Sequence, residues 1–318
     1  MYSLIIPVYR NEDTIPALLE TVTWISQQIP EPLEAVFVVD GSPDASDATL
    51  AKLLPTQPFH SRLLLLSRNF GSFAAIRAGL TAATGTCFAI MAADLQEPPE
   101  LVVQFFTTLA SGQTDIVVGV RGSRSDPWFT RVAAQSFWRV YTRFVLRSIP
   151  KGGVDVFGCN ATVRQWLLSC QEANSSLIGL LYWIGFRRQE VTYMRRARTS
   201  GRSGWSFARR VDYLLDSVFS FTDLPVRVLL FFGAAAVAVA VVFGFAVVIG
   251  KLTGRVMLPG YAATVLTILF FGGINASGLG VVGSYAWRAF ENSKARPPSI
   301  TMQEYEYNSG TTSKSNPT

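Results

Sequence analysis

Short apolar runs alternate with polar clusters over about the first 120 residues of the chain. Tyr2–Pro7 reads as a buried strand. Asn11 or Asp13 is placed to cap a helix over about Thr14–Gln28, where Ile15, Leu18, Leu19, Val22 and Ile25 recur at helical spacing. Ala35–Val39 repeats the strand pattern and stops at Asp40-Gly41-Ser42-Pro43-Asp44, turn-and-cap residues that lead into a helix around Ser46–Leu54. Arg62–Leu66 and Thr86–Met91 are the third and fourth strands, with a helix over Phe73–Ala83 between them. Leu101–Ala110 is then helical, and Asp115–Val118 is a fifth strand ending at Gly119-Val120-Arg121. This alternation predicts an α/β fold, a mostly parallel sheet with helices on both faces. Polar clusters sit where its strands end, at Tyr9–Glu12, Asp40–Asp44, Arg68–Asn69 and Asp94–Gln96, and in such a sheet those ends share one rim.

After Arg121 the pattern loosens. Trp128–Leu146 reads as an amphipathic helix carrying Arg131, Arg139 and Arg143 among aromatics, and Asp155 lies in an apolar surround. Arg195–Gly204 is rich in arginine, serine and glycine and reads as mobile. Trp205–Phe221 sets apolar positions opposite charged ones and fits a helix lying on a membrane surface, or an ordinary core helix. Val228–Gly250 and Tyr261–Trp287 then contain no charged residue over 23 and 27 positions. At about 1.5 Å per residue either is long enough to cross a hydrocarbon core about 30 Å thick. These shifts predict a catalytic-type domain over 1–200, a juxtamembrane region over 201–224, two membrane helices over 225–290 and a disordered tail over 291–318.

Composition changes the picture in two ways. A mean hydropathy of +0.28 with 49% hydrophobic and 16% charged residues is too apolar for an ordinary soluble enzyme. Charge then sets the orientation: Arg187 to Arg227 holds nine arginines against Glu190, Asp212, Asp216 and Asp223, which is +5 of the chain's net +6. By the positive-inside tendency, the N-terminal domain and the tail lie in the cytoplasm and the loop Lys251–Gly260 lies outside, giving a multi-pass protein of the inner (plasma) membrane. The excess base reads as attraction to anionic membrane lipid and phosphates; nucleic acid is a poorer partner because the basic segment leads directly into a span. Cys87, Cys159 and Cys170 show no metal-type spacing and read as reduced packing residues.

The candidate chemistry centres on Asp94-Leu95-Gln96-Glu97-Pro98-Pro99-Glu100. Asp94 and Gln96 are two apart at a strand end, so in an extended segment both oxygens fall on one side and can share a hard cation, Mg²⁺ or Mn²⁺. The same residues would also serve as an ordinary strand-to-helix turn. No glycine-rich dinucleotide fingerprint follows the first strand, and neither a phosphate-binding loop ending in Gly-Lys-Ser/Thr nor a Gly-x-Ser-x-Gly elbow occurs.

Taken in order, Ile6-Pro7-Val8-Tyr9, Asp40-Gly41-Ser42-Pro43-Asp44, Arg68-Asn69-Phe70-Gly71, the Asp94–Glu100 motif and Gly201-x-Ser203-x-Trp205 resemble the family-two polyprenyl-phosphate glycosyltransferases of GT-A fold. The resemblance covers the chain to about residue 290, including two C-terminal spans. It implies inverting transfer of a hexose from a nucleotide sugar, UDP-linked, to polyprenyl (undecaprenyl) phosphate at the cytoplasmic membrane face, for cell-envelope glycan modification. Residue by residue, it implies that Pro7, Tyr9, Glu12 and Asp40 line the nucleotide. Asp94 and Gln96 would hold the metal, Arg121 and Arg131 would face the acceptor phosphate, and Arg198, Arg202 and Ser203 would close over the donor phosphates. Asp155 would orient the acceptor or take its residual proton, or is a buried structural acid. Two positions depart from the family's pattern: Val39 stands before Asp40 where a second aspartate is usual, and Ala92 takes the place of a first acid. Those losses leave an alternative reading, a transferase-like membrane scaffold without turnover. Self-association is left open.

Overall fold

The computed structural model describes residues 1–122, 150, 154–172, 175–196, 215–253, 260–308 and 311–315. The expected helix over Trp128–Leu146, and Arg131, Arg198, Arg202 and Ser203 with it, lie outside the described residues.

Strands β1 (Tyr2–Val8) and β2 (Leu33–Val39) are buried along almost their whole length, as strands covered on both faces must be. They pair in parallel, with β3 (His60–Leu66) beyond β2 and β4 (Cys87–Ile90) on the other side of β1. Farther out lie β6 (Val154–Asn160), β5 (Ile116–Arg121) and β7 (Arg188–Tyr193). Among the described residues the order is β7-β5-β6-β4-β1-β2-β3-β8-β9, with β8 (Thr301–Asn308) and β9 (Thr311–Ser315) contributed by the C-terminal tail. Here β6 and β8 run against the rest, so the sheet is mixed but mostly parallel.

Side chains alternate across it with period two. Leu4, Ile6 and Phe37 face one layer with α1 (Ile15–Gln28) and α4 (Pro99–Ala110), while Ile5, Val36 and Val38 face the other with α3 (Ser72–Ala82), α5 (Ala161–Ser169) and α6 (Leu177–Trp183). A short α2 (Ser46–Leu53) follows β2. On α4, Leu101, Val102, Phe105, Phe106 and Leu109 form the buried stripe, and Phe106 stacks on Tyr2 at 5.0 Å. Truncating the fully buried Phe105 to alanine would cost about 3–5 kcal/mol by lost transfer energy and cavity formation. The helices α3 and α5 cap one another. Arg77 donates to the carbonyls of Leu167, Leu168 and Cys170 at the end of α5, and Arg164 donates to those of Leu80 and Thr81 at the end of α3. Last-turn carbonyls have no partner within their helix, so these arginines satisfy what burial would otherwise leave open.

The tail corrects one expectation. Residues read as disordered instead form β8 (Thr301–Asn308), antiparallel on β3, and β9 (Thr311–Ser315) beyond it. The reason is local alternation: Tyr305 and Tyr307 share one face, where their rings stack at 6.4 Å, and Glu304 and Glu306 share the other. The glutamates meet polar side chains of β3, Arg62 to Glu304 at 3.2 Å and His60 to Glu306 at 2.9 Å, while Arg62 also faces the buried Glu34 at 3.2 Å. Low hydrophobicity read along the tail conceals a strand whose partner is tertiary.

Between the sheet and its tail run α7 (Leu224–Leu252) and α8 (Tyr261–Ser293). Among the described residues one helix, over Leu224–Gly250, is long and apolar enough to cross a membrane. The second expected span is a continuous helix that carries Asn275, Ser277, Ser284 and five glycines. The two helices are antiparallel neighbours: Gly278 faces Leu229, the Tyr285 hydroxyl donates to the Thr222 carbonyl at 3.3 Å, and Arg288 meets Asp216 at 2.7 Å.

Candidate active site

Strands β1 to β5 and β7 run in one direction, so Val8, Val39, Leu66, Ile90, Arg121 and Tyr193 end on one rim. β6 starts there, with Val154 beside Val120. The four polar clusters expected to converge do meet along this edge.

Asp40 organises the part above β1 and β2. Its amide donates to the Val8 carbonyl at 3.0 Å, and its carboxylate accepts from the amides of Phe70 at 2.7 Å and Gly71 at 2.9 Å. Asn69 closes the same loop through the Asp40 carbonyl at 3.3 Å. Gly41 is required here: its φ is +55°, and a Cβ would lie 2.3 Å from the Arg68 carbonyl carbon. Asp40 is only 3% exposed, so the carboxylate expected against the nucleotide is engaged within the protein, holding the turn before α3.

Glu12 is likewise engaged. Its carboxylate accepts from the Ala45 amide at 3.0 Å beside α2, while its own amide donates to Asp44 at 3.1 Å. Burial alone would raise the Asp44 carboxyl, but hydrogen bonds from the Ser42 and Ser46 hydroxyls and from the Glu12 and Ser46 amides outweigh it and hold it below the ordinary value. Pro7 is half-buried, and Tyr9 is 41% exposed at the rim, with the Arg10 guanidinium 5.4 Å from its ring centre.

The Asp94 turn continues β4. The Met91 amide donates to the Ile5 carbonyl at 3.1 Å, and the Thr14 hydroxyl donates to the Ala93 carbonyl at 3.0 Å, tying the turn to the start of α1. Leu95 takes a left-handed φ of +54°, at a cost of about 1–2 kcal/mol for a side chain of this kind; such strain gathers at functional sites. It folds Gln96 back so that its amide points to the Asp94 carboxylate at 3.4 Å. Among the described residues no group of three His, Cys, Asp or Glu side chains assembles. The donor set is therefore one carboxylate and one amide oxygen on one turn, which fits a hard cation that takes its other ligands from water and phosphate.

A second segment reaches this turn from β7. Arg195 donates to the Gln96 side-chain oxygen at 2.5 Å, the Arg196 amide donates to the Gln96 carbonyl at 2.9 Å, and the Gln96 amide group returns a contact of 3.4 Å to the Arg196 carbonyl. Arg196 also lies 3.6 Å from Glu100. Arg121, at the end of β5, and Asp155, near the start of β6, lie on the rim between these two anchor points. Sequence reasoning did not single out Thr14 or Arg195. Thr14 looked like a helix start, and Arg195 was one arginine in a basic run.

The family model for glycosyl transferase family 2 matches residues 3–170, more than half of the chain. The chain belongs to glycosyl transferase family 2. An uncharacterized glycosyltransferase of Synechocystis sp. is 31% identical over 298 residues, covering 93% of this chain and 92% of that one. The bactoprenol glucosyl transferase of Shigella phage SfV is 30% identical, covering 95% and 98%, and a prophage bactoprenol glucosyl transferase homolog of Escherichia coli (strain K12) is 29% identical, covering 94% and 97%. Among solved structures, the mannosyltransferase PcManGT from Pyrobaculum calidifontis, in complex with GDP-Man and Mn²⁺, covers 90% of this chain and 87% of that one at 16% identity and a TM-score of 0.44, too distant a match to carry an argument. The residues matched by the family model include the whole β1–β4 rim, and the full-length relatives extend the match through α7 and α8.

Proposed function

We propose that this glycosyltransferase moves a sugar from a nucleotide sugar to a polyprenyl phosphate at the cytoplasmic face of the membrane, with inversion at the anomeric carbon. The observation that carries the reading is the relatives' match. Proteins named bactoprenol glucosyl transferase align over nearly all of this chain, apolar helices included, and not over the rim domain alone. A rim built like this one, on a GT-A type domain, suits the chemistry. The acceptor phosphate is already anionic near neutral pH, so the main demand is to neutralise the departing diphosphate. A divalent cation held by Asp94 and Gln96 would supply that charge as a Lewis acid. Arg121 and Arg131 would orient the acceptor phosphate through planar guanidinium forks, and Arg198, Arg202 and Ser203 would do the same for the donor. Tyr9 and Pro7 offer the exposed ring and wall for the nucleotide, whereas Asp40 and Glu12 act behind them by fixing the loops.

The tail supports the membrane topology. β8 follows α8 and pairs with β3, so both ends of the helical hairpin return to one domain. A chain that starts and finishes on one side of a membrane crosses it an even number of times; if α7 crosses, α8 returns. The test of function is direct. Membranes containing the protein are incubated with a panel of labelled nucleotide sugars and undecaprenyl phosphate, followed by lipid extraction. Label appearing in the lipid phase only with both protein and acceptor supports the reading; none with any donor defeats it.

A further inference from the structure

The segment that leaves β7 crosses much of the active edge. β7 and β4 are three places apart in the sheet, with β5 and β6 between them, which is about 14 Å at the usual strand spacing. Met194, Arg195 and Arg196 meet the Asp94 turn across that gap, fastening to Gln96 by two contacts of the Arg196 backbone, one to the Gln96 carbonyl and one to its side-chain amide, and by one contact of the Arg195 side chain. The backbone contacts set the position of the segment. The side-chain contact has a different consequence, because the Gln96 oxygen it uses is one of the two oxygens a cation would need. A guanidinium and a divalent cation on that one oxygen compete, because their charges repel at contact distance even though the amide oxygen has two lone pairs.

We propose that Arg195 is a donor-binding residue that competes with the metal for the Gln96 oxygen and passes to the donor diphosphate when cation and nucleotide arrive together. This rests on the metal reading of Asp94 and Gln96 given above and deepens it. The chemistry of the exchange balances: Gln96 trades one cationic partner for another, and Arg195 trades a neutral amide oxygen for an anionic phosphate oxygen, a stronger acceptor. The cation alone therefore meets a competitor, and the cation with a nucleoside diphosphate meets a cooperative partner. Such a device favours assembly of the full donor complex over capture of free metal. Met194, 76% exposed, adds little packing to hold the segment once the contacts to Gln96 are released.

The experiment uses the full chain in neutral detergent and measures Mn²⁺ binding by the electron paramagnetic resonance signal of the free ion, with Mn²⁺ alone and with UDP as the diphosphate probe. Arg195→Met, close in length but uncharged, is expected to bind Mn²⁺ alone about tenfold more tightly than wild type, the equivalent of about 1.4 kcal/mol. The same variant is expected to bind UDP with Mn²⁺ at least several-fold more weakly, because the phosphate has lost its fork. A gain of affinity is not something a damaged fold produces. Arg195→Gln, which keeps a hydrogen-bonding side chain without the charge, is expected to shift both constants the same way should the methionine variant fold poorly. Unchanged Mn²⁺ affinity in both variants, with Asp94→Asn abolishing binding, would overturn the exchange and leave the metal site standing. Absence of saturable Mn²⁺ binding in wild type and in both variants, with and without UDP, would overturn the metal reading and the exchange together.

Discussion

Asp40→Asn separates two roles for one carboxylate. In the structure both its oxygens accept backbone amides, from Phe70 and Gly71, in a place only 3% exposed. Asparagine keeps one acceptor and sets an NH₂ group against the other N–H. A hydrogen bond to a charged acceptor contributes about 1.5–3 kcal/mol, and an unsatisfied buried donor costs about 1–3 kcal/mol. A loss of about 3 kcal/mol is therefore expected. For a domain of this size each kcal/mol moves the midpoint by about 2–4 °C, so Tm should fall by roughly 6–12 °C. Thermal unfolding of the full chain in detergent, followed by tryptophan fluorescence, measures it. A donor-contacting carboxylate would behave otherwise: Tm would stay at the wild-type value while the KM for the nucleotide sugar rose. That result, an unshifted Tm, would refute the assignment of Asp40 to the loop.

Three further outcomes are expected. Asp94→Asn should lower transfer at least ~10²-fold, the scale of losing a major electrostatic stabiliser, and excess chelator should abolish transfer by wild type; undiminished transfer in chelator would contradict the metal assignment. A cysteine at Thr253 should be labelled from outside intact cells and one at Asn308 only after permeabilisation; the reverse pattern would remove the active site from cytoplasmic nucleotide sugars. Asp44 has a folded pKa below its unfolded value, so its stabilisation is full above the unfolded pKa of about 3.9 and is lost as pH falls through the lower folded value. Asp44→Asn should flatten the acid limb of a stability–pH curve, and an identical limb in the variant would count against the hydrogen bonds from Ser42 and Ser46.

The parts of this molecule that were legible in advance are those whose cause is local. Ile15, Leu18, Leu19, Val22 and Ile25 recur at helical spacing, and all five are buried on α1. The strand ends were legible too, because apolar runs stop at turn residues. What could not be read is partnership across the sheet. The donors to Asp40 are the backbone amides of Phe70 and Gly71, which carry no identity in a sequence. Nothing in the basic run separates Arg195 from its neighbours, since its distinction is that β7 ends three strands from β4. The tail failed for the same reason: Glu304 and Glu306 read as solvated charge until Arg62 and His60 stand opposite them.

That tail also bears on how a lipid-borne acceptor reaches the rim. α8 ends at Ser293 and β8 begins at Thr301, so seven residues, 294–300, join them. Fully extended they reach at most about 25 Å. β8 begins at the rim end of the sheet, with Thr301 opposite Leu66 and the Ile300 carbonyl accepting from the Ser67 amide at 3.0 Å. The last turn of α8 therefore lies within about 25 Å of the strand start that meets the edge carrying Asp94 and Tyr9. The start of α7 is held to the same helix, through Thr222 to Tyr285 and Asp216 to Arg288. Both ends of the hairpin that would enter the bilayer are thus held to one another and joined by a short segment to the sheet. A polyprenyl phosphate keeps its chain in hydrocarbon and can lift only its head group, so an enzyme for that acceptor must hold its rim close to the membrane surface. A soluble acceptor would impose no such demand, so the short segment between hairpin and sheet suits the lipid-borne acceptor proposed above.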